Sequence, residues 1–418
     1  MNNMLRTFLA GILRVLSQAT IQRFKPEIIA ITGSAGKTST KDAIYTILKY
    51  RWRTRRNHDN FNNEIGVPLT ILGEYKKSGG IFFWLPVLCR AVGQLILPRA
   101  FFRRPYPEVL VLEYGADRPG DIEYLVEIAR PKIGVVTLIG KIPVHVEFYS
   151  GVESVAKEKE KLVRALSVSG FAVLNSDDLR VRQMAGGTRG EVSTYGFSDD
   201  STMQIKEYEI EKKPEGDLKV PTGIRFILEY KNETIPVTVP GVVGKAQAYA
   251  IAAAALVGVL KGLKLQDISK SLSYYRAPNH RLTFVRGIKN SLILDDSYNS
   301  SPAAAHHAVE ALSESEPKRS VCILGDMREL GAYTDEAHKS LGMVVAKQCD
   351  VLVTIGVSAT IIADTALAQG MKKNQVYQFN NVEEAIDSVP KLIETGDSIL
   401  IKASLAVGAE KLVKALRV

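Results

Sequence analysis

The sequence predicts an α/β chain: a central P-loop domain with a mostly parallel sheet, followed by a C-terminal Rossmann-like α/β domain. Three observations carry this. The apolar run Ile28-Ile29-Ala30-Ile31 leads into Thr32-Gly33-Ser34-Ala35-Gly36-Lys37-Thr38-Ser39 and then a helical pattern. Short apolar runs alternate with helical periodicity on both sides of Ala277-Pro278-Asn279, and such alternation gives parallel sheets covered by helices on both faces. A chain of 418 residues holds two or three cores, and 46% hydrophobic with 24% charged residues is ordinary for soluble α/β proteins.

In chain order, residues 1–27 form an amphipathic helical segment. Leu5, Phe8, Leu9, Ile12, Leu13 and Leu16 recur at helical spacing, and Arg6, Arg14, Arg23 and Lys25 supply the charge. The segment reads as neither a clean secretory signal nor a bilayer span. A helix packed on the protein and an interfacial membrane helix both fit. The central domain occupies 28–278, with an apolar insertion at about 76–106. Within it, Ile81 to Cys89 is uninterrupted and apolar; Arg90, Leu95-Ile96-Leu97, Arg103 and Arg104 follow. Residues 81–104 therefore pose the same alternative as 1–25: burial, or peripheral contact with a membrane surface.

Val109-Leu110-Val111-Leu112, the run 133–138 and Ala172-Val173-Leu174 read as strands. Residues 200–240 suggest a small antiparallel patch, and 246–260 a helix of small residues. The C-terminal domain, 279–418, has strand-like runs at 291–296, 321–324, 351–355 and 398–401.

The net charge is +9, from 54 basic and 45 acidic residues. Arg51, Arg53, Arg55, Arg56, Arg103 and Arg104 lie early; such a cluster meets phosphates or acidic lipid, or is simply solvated. No nucleic-acid motif accompanies it, so no nucleic-acid partner is expected. Cys89, Cys322 and Cys349 lack zinc spacing. Their odd count argues against a disulfide framework and suits a reducing cytoplasm.

The glycine loop has a physical reading. Glycines let backbone N–H groups approach phosphate oxygens, and the helix N-terminus adds positive potential. Lys37 reaches the β/γ-phosphates and the Thr38 hydroxyl suits Mg²⁺. Glu113 ends a buried strand beside that loop, a good position for a metal carboxylate. His145 follows another strand end, and a lone histidine there reads more readily as structural than as a ligand. Lys159, in Lys157-Glu158-Lys159-Glu160-Lys161, reads by itself as a solvated charged face. Asp295-Asp296-Ser297-Tyr298-Asn299 and Gly325-Asp326-Met327-Arg328-Glu329 are strand-end loops with acidic groups.

Together these positions resemble the Mur ligases, ATP-dependent amide ligases of peptidoglycan synthesis. The resemblance rests on ordered motifs from residue 28 onward. They are Thr32 to Thr38, Asn60-Phe61-Asn62-Asn63-Glu64 with Gly66-Val67-Pro68, Glu113-Tyr114-Gly115, His145-Val146-Glu147 and Asn175-Ser176-Asp177-Asp178. His280-Arg281-Leu282, Asp295 to Asn299 and Leu324 to Gly331 complete the set. The resemblance implies that Gly33, Ser34, Ala35, Gly36, Lys37, Thr38 and Ser39 hold ATP, with Asp296, Asn299 and Arg281 closing from the C-terminal domain. It implies two Mg²⁺ ions, one on Thr38 and Glu113 and one on His145 and a carbamylated lysine. Lys159 has the right spacing after His145; Lys157 and Lys161 are the fallbacks. Lys37, Lys159, His145 and Arg281 are the implied catalytic set. A carboxylate would become an acyl phosphate, and an amine such as D-alanyl-D-alanine would displace the phosphate. The substrates would be a small cell-wall precursor and an amine or dipeptide, met in the cytoplasm or at the inner face of the membrane.

Three departures bear on substrate choice. About twenty-seven residues precede the first strand, so the family's N-terminal UDP-sugar domain is expected to be missing. Ala246, Gln247 and Ala250 replace the His-Asn…Asn helix near the adenine, and Leu405 stands where an arginine is expected after Lys402-Ala403-Ser404. A folylpolyglutamate-synthase-like ligase is one alternative, though the Asp-Asp-Ser-Tyr-Asn motif favours the peptidoglycan branch. A catalytically weak, membrane-associated ATP-binding partner of cell-wall enzymes is another.

Overall fold

The computed structural model describes residues 3–58, 61–75, 79–98, 104–216 and 218–418. Asn60, Arg103 and part of the 76–106 insertion lie outside the described residues. The strands of the larger sheet are β1 (Glu27–Thr32), β2 (Thr54–Arg56), β3 (Val109–Glu113), β4 (Ile133–Val136), β5 (Phe171–Asn175), β6 (Glu191–Gly196), β7 (Met203–Glu215), β8 (Leu218–Tyr230) and β9 (Glu233–Pro240). Their order is β2-β3-β1-β4-β5-β6-β7-β8-β9. Neighbours are parallel from β2 through β7 and antiparallel from β7 to β9. The expected antiparallel patch is thus present, but it extends the main sheet, because β6 pairs with β7 at Tyr195↔Met203.

The sheet reverses its winding at β1, between β3 and β4. A crevice outside the strand ends at such a switch point is where α/β sheets bind ligands. Register places Ile31 beside Glu113 and Thr32 beside Val136. The glycine loop, Glu113 and the segment after β4 therefore share one sheet edge. Helix α1 (Asn3–Phe24) precedes β1, and α2 (Lys37–Leu48) leaves the glycine loop. The inner face of α2 packs on the helix Lys245–Leu260, where Ala252, Ala253, Ala254 and Ala255 are all fully buried. Their small side chains permit the close approach. Next come α3 (Gly66–Leu72), α4 (Ile81–Ile96), α5 (Asp121–Ile128) and α6 (Val152–Arg164).

The second sheet contains β10 (Thr283–Arg286), β11 (Leu292–Asp295), β12 (Ser320–Gly325), β13 (Val351–Ile355), β14 (Val376–Phe379) and β15 (Ser398–Lys402), ordered β10-β11-β15-β12-β13-β14. It is parallel except for β10. The carboxyl ends of β11 and β15 bring Asp296, just after β11, and Lys402 to the cleft at the first sheet's ligand edge.

Three expectations are corrected. The early arginines do not form one basic patch: Arg55 is buried on β2, donating to the carbonyls of Thr70 and Ile71, and Arg56 pairs with Asp42 at 2.5 Å. Cys322 and Cys349 are joined as a disulfide, because β12 lies beside β13 and Cys349 stands two residues before that neighbour; only Cys89 is free. By length and composition Met4–Phe24 is long and apolar enough to cross a membrane, since α1 continues past the residues whose spacing marked it.

Candidate active site

The glycine loop is shaped by close approach. Gly33 has φ +144°, and a Cβ there would lie 2.0 Å from the Thr137 hydroxyl. Gly36, at φ +85°, caps α2 in a left-handed conformation that glycine adopts without steric cost. The loop is pinned to the segment after β4: Ser34 N–H donates to Leu138 O at 2.7 Å, and Thr137 Oγ1 donates to Ala35 O at 2.6 Å. The first intrahelical bond of α2 runs from Thr40 N–H to Gly36 O. The N–H groups of Lys37, Thr38 and Ser39 precede it, as an anion site at a helix start requires. Lys37 Nζ donates to Gly33 O at 2.9 Å and so arches over the loop. Burial lowers its pKa.

Glu113 is buried at the edge of this loop. Thr38 Oγ1 donates to its Oε2 at 3.0 Å and Asn62 Nδ2 to its Oε1 at 3.1 Å; Lys41 Nζ lies 3.6 Å from Oε2. Burial pushes its carboxyl pKa up, but Lys41, Lys37, Asn62 and Thr38 outweigh that and hold it below the usual value. Glu113 is therefore a buried, ionised oxygen donor beside a threonine hydroxyl. Asn57 fixes its backbone from both sides, accepting from Glu113 N–H at 2.9 Å and donating to Glu113 O at 3.3 Å.

The next wall comes from the segment after β4. Ile139 and Gly140 N–H both donate to Asp178 Oδ2 at 2.8 Å. That carboxylate, ending the Asn-Ser-Asp-Asp motif, holds the turn that leads to His145. His145 adopts φ +67°, with Nε2 3.4 Å from Asp117 and Nδ1 2.6 Å from Glu329 of the second sheet's loops. Lys159 is not the solvated residue its neighbours suggested. It is 1% exposed on the inner face of α6, while Lys157 is exposed and Lys161 pairs with Glu123 and Glu158. Burial, with Lys37 nearby, lowers the Lys159 pKa to about 7.

From the other sheet come Arg281, whose guanidinium stacks 4.4 Å over the Tyr298 ring, and buried Asp296, which pairs with Lys402. Burial raises the Asp296 pKa despite that lysine. Lys402 also donates to Asn299 O at 2.9 Å. Gln247 donates to Arg281 O and accepts from Tyr275, both at 3.0 Å. Gln247 thus braces the arginine from behind.

These residues meet in one cleft of about 540 Å³, lined by Ser34 to Ser39, Glu113, His145, Arg281, Asp296 and Asn299. Gly33 packs behind it, and Lys159 lies beneath its wall without lining it. Lys41, Asn57 and Asp117 are site residues that sequence reasoning missed. Only Lys41 carried a signal, its position one helical turn after Lys37.

The chain matches the Mur ligase middle domain over residues 31–82 and 94–258, and the Mur ligase glutamate ligase domain over 280–405. It belongs to the Mur ligase family. The UDP-N-acetylmuramoyl-tripeptide–D-alanyl-D-alanine ligase of Bacillus subtilis is 26% identical over 406 residues, covering 97% of this chain and 79% of that protein. The Mycobacterium tuberculosis ligase of the same name is 29% identical, covering 93% and 72%. The structure of the MurF ligase from Thermotoga maritima in complex with ADP superposes with a TM-score of 0.78 at 25% identity, covering 97% and 83%. This Mur ligase is thus an ATP-dependent enzyme that forms amide bonds.

Proposed function

We propose that this ligase joins D-alanyl-D-alanine, or a similar amine, to the carboxylate of a cell-wall precursor through an acyl phosphate. The observation that carries the reading is the ionised Glu113–Thr38 pair beside the phosphate loop, facing Arg281 and Asp296 across one cleft. The names of the relatives support the substrates.

The donor set fits two Mg²⁺ ions. Mg²⁺ prefers oxygen ligands and is usually held by one or two carboxylates together with substrate phosphates, not by a full protein cage. Thr38 and Glu113 would hold one ion; His145 and a Lys159 carbamate would hold the other. When bound, the ions would spread the negative charge of the transferred phosphoryl group. Lys159 suits carbamylation because its buried amine sheds its proton near pH 7. The neutral nitrogen attacks the carbon of CO₂ and loses a proton, giving an anionic oxygen ligand.

In the first step the substrate carboxylate attacks the γ-phosphorus and ADP leaves. Lys37 and the N–H groups of α2 hold the phosphates in line, and Arg281 adds positive charge from the opposite wall. In the second step the amine attacks the acyl carbon and phosphate departs. The domains are read as 1–27, 28–278 and 279–418, with the last closing over the cleft to exclude water from the acyl phosphate. The enzyme works in the cytoplasm, peripherally at the inner face of the membrane through residues 1–25 and 81–104. Phosphate release from ATP, measured with candidate carboxylates with and without D-alanyl-D-alanine, tests the reading. Turnover that needs both substrates supports it; normal ATP binding with no dependence on either refutes it.

A further inference from the structure

Helices α1 and α4 share a small core of their own. Leu9 and Leu13 of α1 are buried with Trp84, Val87 and Ala91 of α4 and with Leu69 and Leu72 of α3. Arg23, at the end of α1, donates to the carbonyls of Leu95 and Leu97 at the end of α4, and Arg14 pairs with Glu127 at 2.7 Å. Both helices are therefore held against the body of the enzyme by their inner faces.

Their outer faces are apolar and open. On α4, Phe82, Leu85, Cys89, Val92 and Ile96 are exposed, Phe82 by 90%. Their spacing of three and four residues is one helical stripe. On α1, Met4, Phe8 and Val15 are exposed, each by more than 60%. Soluble proteins seldom leave such contiguous apolar faces uncovered.

The charge carried by these two segments is one-sided. Residues 1–25 and 76–104 together hold ten lysines and arginines and no aspartate or glutamate. Since the whole chain carries +9, the remainder is slightly acidic. Arg90 and Arg104 have no carboxylate partner among the described residues. An apolar stripe on a helical segment whose own charges are all basic is the pattern of an interfacial helix on anionic lipid.

This face is also joined to the cleft. Arg6 of α1 pairs with Glu64 at 2.7 Å; the adjoining Asn63 lines the cleft, and Asn62 holds Glu113. We propose that the outer faces of α1 and α4 dock on a bilayer containing anionic lipid. Docking presents the Asn62–Asn63 side of the cleft to a carboxylate substrate held in that bilayer. This rests on the peripheral placement above and names its lipid, its contact residues and the substrate class it serves.

The test is co-sedimentation of the full chain with phosphatidylcholine vesicles, with and without phosphatidylglycerol. It compares the wild type with the surface variant Phe8→Gln/Phe82→Gln/Leu85→Gln, and a thermal shift with ATP checks that the variant is folded. The expected result is binding that needs phosphatidylglycerol, weakens with salt and falls about tenfold or more in the variant. Arg90→Gln alone should weaken binding without altering the ATP shift. No sedimentation, or equal sedimentation of wild type and triple variant, overturns the docking. So does a dimer in light scattering that the triple variant dissociates, or protein that resists carbonate extraction as an integral span would. Phosphate release is then compared for a lipid-linked carboxylate in the same vesicles and its soluble UDP-linked counterpart. A lipid-linked preference lost in the triple variant supports the substrate class, and a soluble preference in both proteins overturns it. Vesicle binding with no turnover on any acceptor supports the docking and refutes the ligase substrates instead.

Discussion

The ATP cleft and the α1–α4 face break the usual burial pattern in opposite directions. In and around the cleft, Lys41, Glu113, Lys159, Asp296 and Lys402 are ionisable side chains taken out of water, and Lys37 is half-buried. On the helical face, Phe8, Phe82 and Leu85 are apolar side chains left in it. Burying charge is costly unless it is paired, and exposing a broad apolar face is costly unless something covers it. Each region gives up stability for a ligand, one polar and small, the other apolar and wide.

If the cleft's buried charges serve chemistry and not the fold, removing them should change rate far more than stability. The largest effect is expected from Lys37→Ala. Deleting a charge aimed at the developing phosphate costs about 10²–10³ in kcat, so steady-state phosphate release should fall by that factor with the melting temperature little moved. A loss confined to KM would mean that Lys37 serves ground-state binding alone. Lys159→Ala should cost less, about 10–100-fold, as an altered metal ligand shell does.

Lys159 also has a pH signature. Its pKa is lowered from the ordinary lysine value to about 7 in the folded chain. Between those values the unfolded state binds more protons, so this residue makes stability rise with pH above about 7. The neutral amine is populated over the same range. A ¹³C carbamate signal from labelled bicarbonate should therefore grow as pH rises through about 7 and vanish in Lys159→Ala. A signal that persists in that variant would move the modification to another lysine.

The two regions were unequally legible in the sequence. The glycine loop could be read because its function is local: strand, turn and helix are consecutive, and Gly33 and Gly36 each answer a backbone demand. Glu113 could be read because it ends an apolar strand. Lys159 could not, since Lys157-Glu158-Lys159-Glu160-Lys161 looks uniformly solvated. Only the packing of α6 turns Glu158 and Lys159 inward, where Glu158 accepts Ile122 N–H at 2.9 Å. Short or polar strands such as β2 escaped notice for the same reason: Thr54-Arg55-Arg56 is a strand because β3 pairs with it, not because its residues prefer one. Residues 1–25 and 81–104 stayed ambiguous because amphipathic spacing marks a buried face without saying what lies on the other.

That last ambiguity makes the two faces of α1 a controlled comparison within one helix. Leu13 is fully buried against α3 and α4. Leu13→Ala should cost about 2–5 kcal/mol in urea unfolding, the usual range for a buried leucine. Phe8, five residues earlier and 67% exposed, should behave differently. Phe8→Ser removes more apolar surface than Leu13→Ala, yet that surface is already in water in the folded chain. Its effect should stay within about 0.5 kcal/mol without lipid. With anionic vesicles the order should reverse: Leu13→Ala should bind as the wild type does while it stays folded, and Phe8→Ser should bind more weakly. If Phe8→Ser instead destabilises the lipid-free protein as much as Leu13→Ala does, the outer face of α1 is packed in solution, and the contrast between cleft and face fails.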